Sequence, residues 1–468
     1  MIEKYIIDEY DNPDVPTLED VLQQMNRFKS GFPFTQIASA ATLGNGITAP
    51  FNTPDYSTDD YKIVKFVPAS GAATRMFKDL FEFLSSGRMN PTTQSVLENI
   101  EKFAFYNDLQ KTLPENPTSY DIINYIVNAP GLNYGHLPKG LIKFHKYDNE
   151  NRTALAEHFA EGAQYAASNG VVNLHFTVSS EHIDKFNELI TILVDKYRTK
   201  FGLEYNVSLS TQKPTTNTIA VNPDNTEFYD DNGKILFRPA GHGALIENLN
   251  DIDADIIFIK NIDNVCPDNK RADTVRTKRQ LMNIGLYIQK KIFDYIHAID
   301  NNTANTDEIV EFIKTYLGYR PAQGTDLRAV LNRPLRVCGM VANTGAPGGG
   351  PFWTKDNNGN ETLQIVESSQ ISPSQQDILT QGQYFNPVDL VCFVRDCHGK
   401  KFDLRKFIDP NTGFISEKSY QGRPIRAMER PGLWNGAMAH WNTVFIETPQ
   451  STFTPAKTIS DLIKPEHQ

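Results

Sequence analysis

Cysteine is scarce: Cys266, Cys338, Cys392 and Cys397 are the only four in 468 residues. None forms a C-x-x-C pair and none has zinc spacing, so neither a disulfide scaffold nor a structural zinc module fits. A reduced, cytoplasmic setting is expected. The N-terminal stretch MIEKYIIDEYDNPD is acidic and lacks the apolar core of a secretion signal. No apolar run approaches membrane-spanning length, so no membrane partner is expected. An excess of positive charge is missing too. Lys and Arg number 46 against 56 Asp and Glu, a net charge of −10, which argues against a nucleic-acid partner. An anionic ligand must therefore meet a local cluster of cations. There is no internal repeat and no low-complexity tract. The G-x-x-x-x-G-K phosphate loop, the G-x-G-x-x-G dinucleotide turn, the G-x-S-x-G elbow and the H-E-x-x-H pair are all absent. An unrelated α/β hydrolase thus has no motif behind it.

What is present alternates between strand and helix patterns. TLEDVLQQMNRFKSG places Leu18, Val21, Leu22 and Met25 on one helical face, closed by Gly31 and Pro33. Residues 1–57 are read as a helical arm, and 58–468 as the main domain, with an Asn-, Pro- and Tyr-rich helical insertion at about 90–135. Tyr61–Pro68, Val171–Val178, Asp255–Asp263, Leu335–Ala342, Asp389–Val394 and Trp441–Glu447 read as strands. Phe77, Leu80, Phe81 and Leu84 define a helix ended by Gly87, and further helices follow Val178 and Asp263. This order predicts an α/β fold with a mixed, mostly parallel central sheet covered on both faces. Asp251, Asp253 and Asp255 precede their strand and are read as a solvated turn. The glycine-rich stretch Asn343–Pro351 is read as a loop able to close over a ligand.

The stretch FVPASGAATRM (Phe66–Met76) is a strand, a cluster of small side chains, then Thr74 and Arg75. Small residues let backbone N–H groups approach an anion, and a guanidinium suits phosphate oxygens. The following helix contributes its positive end. A strand-to-helix turn with a surface Arg is the plainer alternative.

Ala69–Met76 resembles the A-G-G-x-G-T-R loop of sugar nucleotidyltransferases, with Ser70 and Ala73 at two glycine positions. Further stretches resemble, in order, landmarks of the eukaryotic-type UDP-N-acetylhexosamine and UDP-glucose pyrophosphorylases. They are LPKGLIKFH (Leu137–His145), STQKPTTNTIAV (Ser210–Val221), FRPAGHGALIENL (Phe237–Leu249), IKNIDNV (Ile259–Val265), LQIVESSQI (Leu363–Ile371), GLWNGAMAHWNTVFIE and TFTPAKTISDL (Thr452–Leu462). The chain is similar to a bacterial branch of that superfamily known as a domain of unknown function.

The resemblance implies a nucleotide-diphospho-sugar transferase fold of three layers (GT-A or Rossmann-like). It implies Mg²⁺-dependent coupling of a nucleoside triphosphate, such as UTP, to a sugar 1-phosphate with release of pyrophosphate. Ser70, Gly71, Ala72, Ala73 and Thr74 would line the triphosphate, with N–H donors from Gly71 to Ala73. Arg75, Lys139 and Lys457 would be catalytic cations, and Asp263 would hold the Mg²⁺. Gln212 would meet the base edge, and Gly241, His242 and Gly243 the nucleotide. Glu367 and Asn435 would contact the sugar. Each residue has a plainer reading as a turn, cap or surface group. The methyl of Ala73 is expected to intrude where backbone should meet phosphate. A non-catalytic nucleotide- or phosphosugar-binding protein on the same fold is the alternative.

Overall fold

Ile63–Pro68 is a strand because five of its six residues are buried and β-branched or apolar residues dominate it. The computed structural model describes residues 15–345, 348–356 and 358–468. The acidic N-terminal stretch and part of the Asn343–Pro351 loop lie outside them. The chain divides into two compact units: Met1–Tyr56, Gln212–Ile257 and Leu281–Thr448 in the first, and Ser57–Thr211, Phe258–Gln280 and Pro449–Gln468 in the second.

In the second unit, Ile63–Pro68 runs parallel to Val171–Thr177, which runs parallel in turn to Glu204–Ser210. The strand Ile256–Lys260 has all five residues buried. The helix Ile183–Phe201 ends on Gly202 in the left-handed region, φ 65°. Helices Pro91–Glu98, Tyr106–Thr112 and Ser119–Val127 place Val96, Leu109, Ile123 and Ile126 in one core with Phe77, Phe159, Phe176 and Leu462.

In the first unit, Leu335–Ala342 and Asn442–Glu447 are parallel, and Gly46–Thr48 extends the parallel set from the far side of Asn442–Glu447. Asp389–Phe393 joins antiparallel to Leu335–Ala342. Two smaller antiparallel sheets complete this unit. One is ordered Ile37–Ala40, Gly350–Lys355, Glu361–Val366, Tyr319–Arg320. The other is ordered Phe237–Arg238, Thr218–Val221, Arg423–Glu429, Phe414–Tyr420. The helix Leu18–Ser30 starts on a Thr17–Asp20 capping box and packs Val21, Met25 and Phe28 against Ile219, Val221 and Met428.

The architecture is thus α/β with a mixed, mostly parallel central sheet. The aspartates before Ile256–Lys260 form surface ion pairs, with Asp251 and Asp253 exposed. Arg395 bonds Asp253 and Asp255 at 2.6 and 2.5 Å, and Lys213 bonds Asp251 at 2.6 Å. Among the described residues no helix is long and apolar enough to cross a membrane.

Candidate active site

The turn after Ile63–Pro68 leaves the sheet at Ala69, whose N–H donates to Thr177 O at 2.8 Å. Ser70, Gly71 and Ala72 follow, exposed, and Ala73–Arg75 forms a single 3₁₀ turn ahead of the helix Lys78–Ser86. Ala73 departs from expectation in two ways. Its N–H donates to Leu137 O at 3.1 Å and is therefore used inside the fold. Its methyl is fully buried in the core, so it obstructs nothing on the exposed side of the turn. Gly71 has an ordinary φ, and a Cβ there would meet nothing within 4 Å. Thr74 and Arg75 are exposed, and among the described residues the Arg75 side chain makes no hydrogen bond or ion pair.

Two distant segments close on this turn. Ala72 bridges Pro138, the residue before Lys139, and Met76 O accepts from Ile459 N–H at 3.2 Å, two residues after Lys457. Lys139 and Lys457 then meet on one carboxylate. Lys139 Nζ donates to Asp263 Oδ2 at 2.8 Å and to Ala456 O at 2.8 Å. Lys457 Nζ donates to Asp263 Oδ2 at 3.0 Å and Oδ1 at 3.3 Å. The C-terminal segment is fixed by Ala456 N–H on Asp263 O, 3.0 Å, and Thr454 N–H on Asn264 Oδ1, 3.0 Å. Asp461 caps it, accepting from the N–H groups of Lys457 and Thr458.

Burial pushes the Asp263 carboxyl up, but the Lys139 and Lys457 charges outweigh it and hold the group below its usual range. Burial lowers the Lys139 amine against the opposing pull of Asp263. The side chain of Lys457 is 54% exposed, against 13% for Lys139, so Lys457 is the arm free to move.

Beneath Asp263 lies a charged layer that sequence reasoning missed. Glu161 accepts from Lys65 at 3.0 Å and from Lys260 at 2.8 Å, and all three side chains are buried. His158 Nε2 lies 3.2 Å from Ile262 O, one residue before Asp263. The available signal was a lysine inside each of two apolar strands, Lys65 and Lys260.

The donor set does not fit a Mg²⁺ held by the chain itself. Both oxygens of Asp263 are taken up by ammonium groups, which repel a second cation, and Mg²⁺ wants an octahedron of oxygens. Among the described residues no group of three or more His, Cys, Asp or Glu can hold a metal ion.

The first unit gathers its own cluster. The His242 ring stacks on Trp434, centroids 4.2 Å apart and planes 15° apart, and its Nδ1 accepts from Leu433 N–H at 3.0 Å. Burial lowers the imidazole to about 4. Asn435 Nδ2 donates to Glu367 Oε1 at 3.0 Å, while among the described residues the buried Asn435 Oδ1 has no hydrogen-bond partner. Gly243 is required by chain packing, whereas Gly241 is favoured by its positive φ of 77°. A Cβ on Gly241 would lie 2.7 Å from Glu429 Oε2, and one on Gly243 would lie 2.1 Å from Pro431 O. Gln212 is turned to its own loop, with Nε2 at 3.3 Å from both Thr216 Oγ1 and Asn217 Oδ1. Trp434 was not among the expected residues, nor was Arg336, whose buried guanidinium donates to Trp434 O at 2.6 Å.

Residues 12–468 match the model of a family described as a domain of unknown function, DUF4301. The chain belongs to this family. Among curated proteins none matches the sequence. Among solved structures, a single-site mutant of UDP-glucose pyrophosphorylase from Leishmania major matches at 13% identity and TM-score 0.51, over 98% of this chain and 77% of that one. Another mutant of that enzyme, in complex with UDP-glucose, matches at 14% identity and TM-score 0.48, with the same coverage. A UDP-glucose phosphorylase from Trypanosoma brucei matches at 13% identity and TM-score 0.47, over 98% and 76%. The first of these likenesses shows a shared nucleotidyltransferase-like fold over nearly the whole chain.

Proposed function

We propose that this DUF4301 chain transfers a nucleotidyl group from a nucleoside triphosphate to a sugar 1-phosphate and releases pyrophosphate. The observation that carries the reading is the meeting of Lys139 and Lys457 on Asp263, against the exposed Ser70–Ala72 turn. In the reaction, a phosphate oxygen of the sugar 1-phosphate attacks the α-phosphorus. The bond from that phosphorus to the bridging oxygen breaks, and its electron pair leaves with pyrophosphate. No covalent enzyme intermediate is required, so the protein's task is to position anions and stabilise the charge gathering on the leaving group. Lys457 is assigned to swing from Asp263 onto phosphate oxygens, Lys139 to stay in place beneath them, and Asp263 to hold both amines in position. Arg75 is assigned to the leaving pyrophosphate, and the N–H groups of Gly71 and Ala72 to the triphosphate. Mg²⁺ enters as the counter-ion of the nucleotide substrate. In the first unit, the partnerless Asn435 Oδ1 and the Glu367 carboxylate are assigned to sugar hydroxyls, and Gln212 to a base edge.

The test is pyrophosphate release across a panel of triphosphates and sugar 1-phosphates with Mg²⁺. Turnover that disappears in Lys457→Met with the fold intact supports the reading, and silence across the panel overturns it. The internal use of the Ala73 amide, which removes one donor from the turn, favours a second reading as a binding protein without turnover. That reading expects a ligand-induced rise in melting temperature and no product.

A further inference from the structure

A cavity in the first unit, about 730 Å³, has none of Lys139, Asp263 and Lys457 among its lining residues. Its walls come from the helix Leu18–Ser30, the Gly243–Glu247 segment, Arg405–Pro410 and the backbone from Met428 to Pro431. Phe32, Ile246, Ile408 and Met428 give it an apolar lining, and Arg27 and Arg430 bring guanidinium groups to it.

The carboxylates around this cavity are engaged elsewhere. Asp20 accepts from the hydroxyl of Thr17 at 2.7 Å in the helix cap. Glu429 pairs with Lys418 at 2.8 Å, and Glu247 faces Lys213 at 3.9 Å. Among the cations, Arg405 is held by Asp403 through two bonds, 2.7 and 3.0 Å. Arg27 donates only to neutral oxygens, Asn411 Oδ1 at 3.1 Å and Gly31 O at 3.4 Å, and it lies over the Phe32 ring. Among the described residues the Arg430 side chain has no hydrogen bond or ion pair, and Asp20 and Glu247 act on it only from a distance. A guanidinium partly withdrawn from water without a hydrogen-bonded partner is poorly solvated, and an oxyanion on its planar fork would restore what was lost.

We infer that this cavity is a binding site for a small organic oxyanion, a carboxylate or phosphate on an apolar body, held by Arg430 with Arg27 beside it. The apolar body packs on Phe32, Ile246, Ile408 and Met428. The cavity wall also abuts residues already described. Arg430 N–H donates to Ala240 O at 3.0 Å, and Pro431 O leaves no room for a Cβ on Gly243. The occupant therefore sits against the segments that carry His242 and Asn435.

Isothermal titration of the full chain with phenyl phosphate, benzoate and inorganic phosphate tests this. The expected result is that phenyl phosphate or benzoate binds more tightly than inorganic phosphate, and which of the two is preferred identifies the head group. Affinity should fall by roughly tenfold or more in Arg430→Gln, as for loss of a charge-assisted contact. It should fall also in Ser30→Trp, which adds an indole at an exposed lining position. Arg430→Lys, which keeps the charge and loses the fork, should weaken binding less, and it serves if Arg430→Gln does not fold. Binding should persist in Lys457→Met, which separates this cavity from the proposed phosphate cluster. The inference is overturned by the absence of binding to both aromatic anions, by binding undiminished in folded Arg430 and Ser30 variants, or by binding lost only in Lys457→Met.

Discussion

Lys139 and Lys457 donate to the same oxygen, Oδ2 of Asp263, at 2.8 and 3.0 Å. The two amines differ in what else holds them. Lys139 is mostly buried and bonded also to Ala456 O, whereas Lys457 is half in solvent. Removing Lys139 leaves the buried carboxylate with one exposed partner, a loss of about 3–5 kcal/mol for a broken buried pair. Removing Lys457 resembles loss of a surface pair, about 0–1 kcal/mol. Urea unfolding of Lys139→Met and Lys457→Met should therefore show a marked loss for the first and little for the second. Transfer activity should fall sharply in both. Equal destabilisation by the two substitutions would mean that Lys457 is structural.

Gly71 separates catalysis from folding. Its φ is ordinary and a Cβ there meets nothing within 4 Å, so Gly71→Ala should leave the melting temperature within a degree or so of wild type. If the Gly71 N–H lies against triphosphate, the added methyl should raise the apparent KM for the nucleotide while Gly243→Ala, which meets Pro431 O at 2.1 Å, damages the fold itself. An unchanged KM in a folded Gly71→Ala protein would remove the turn from the nucleotide site.

The elements legible in the sequence are those whose pattern is local. Leu335–Ala342 is a strand with the expected bounds because seven of its eight residues are buried, Arg336 among them. The turn after Pro68 was readable from its small residues, and Lys139, Asp263 and Lys457 from the resemblance. What no local pattern reveals is pairing between remote segments. Ala220 lies opposite Ala427, and Glu161 neutralises lysines on two separate strands. The glycines around His242 were read as room for a ligand. Pro431, nearly two hundred positions on, accounts for Gly243 by packing, and a positive φ accounts for Gly241.

His467 gives the second unit a dependence on acidity. It is buried, its Nδ1 lies 2.9 Å from His145 Nε2, and His145 Nδ1 lies 2.9 Å from Glu157 Oε1. Burial, then repulsion from His145, lowers the His467 imidazole from 6.5 to about 3. Between those values the unfolded chain binds a proton that the native chain refuses, so stability rises with pH there and falls on acidification. The loss across that window is on the order of 5 kcal/mol. Chemical denaturation from pH 7 to pH 4 should show this slope in wild type and a flatter one in His467→Phe. The variant should also be less stable at pH 7, by about 1–3 kcal/mol, because the buried His145 Nε2 loses its partner. An identical slope in both proteins would assign the acid sensitivity to other groups.

Asn435 and Glu367 offer a test that does not depend on knowing the substrate. The Asn435 amide donates to the Glu367 carboxylate at 3.0 Å, and Asn435 is buried. A hydrogen bond to a charged acceptor contributes about 1.5–3 kcal/mol, so the single variants Asn435→Ala and Glu367→Ala should each destabilise, and the double variant by less than their sum. The function assigned to the pair adds a second expectation. Among the described residues Asn435 Oδ1 has no partner although it is buried, and a sugar hydroxyl donating to that oxygen would relieve the loss. Saturating sugar 1-phosphate should therefore raise the melting temperature of wild type and of Lys457→Met, but not of Asn435→Ala. A rise that survives in Asn435→Ala would place the sugar elsewhere and leave the pair with a purely structural role.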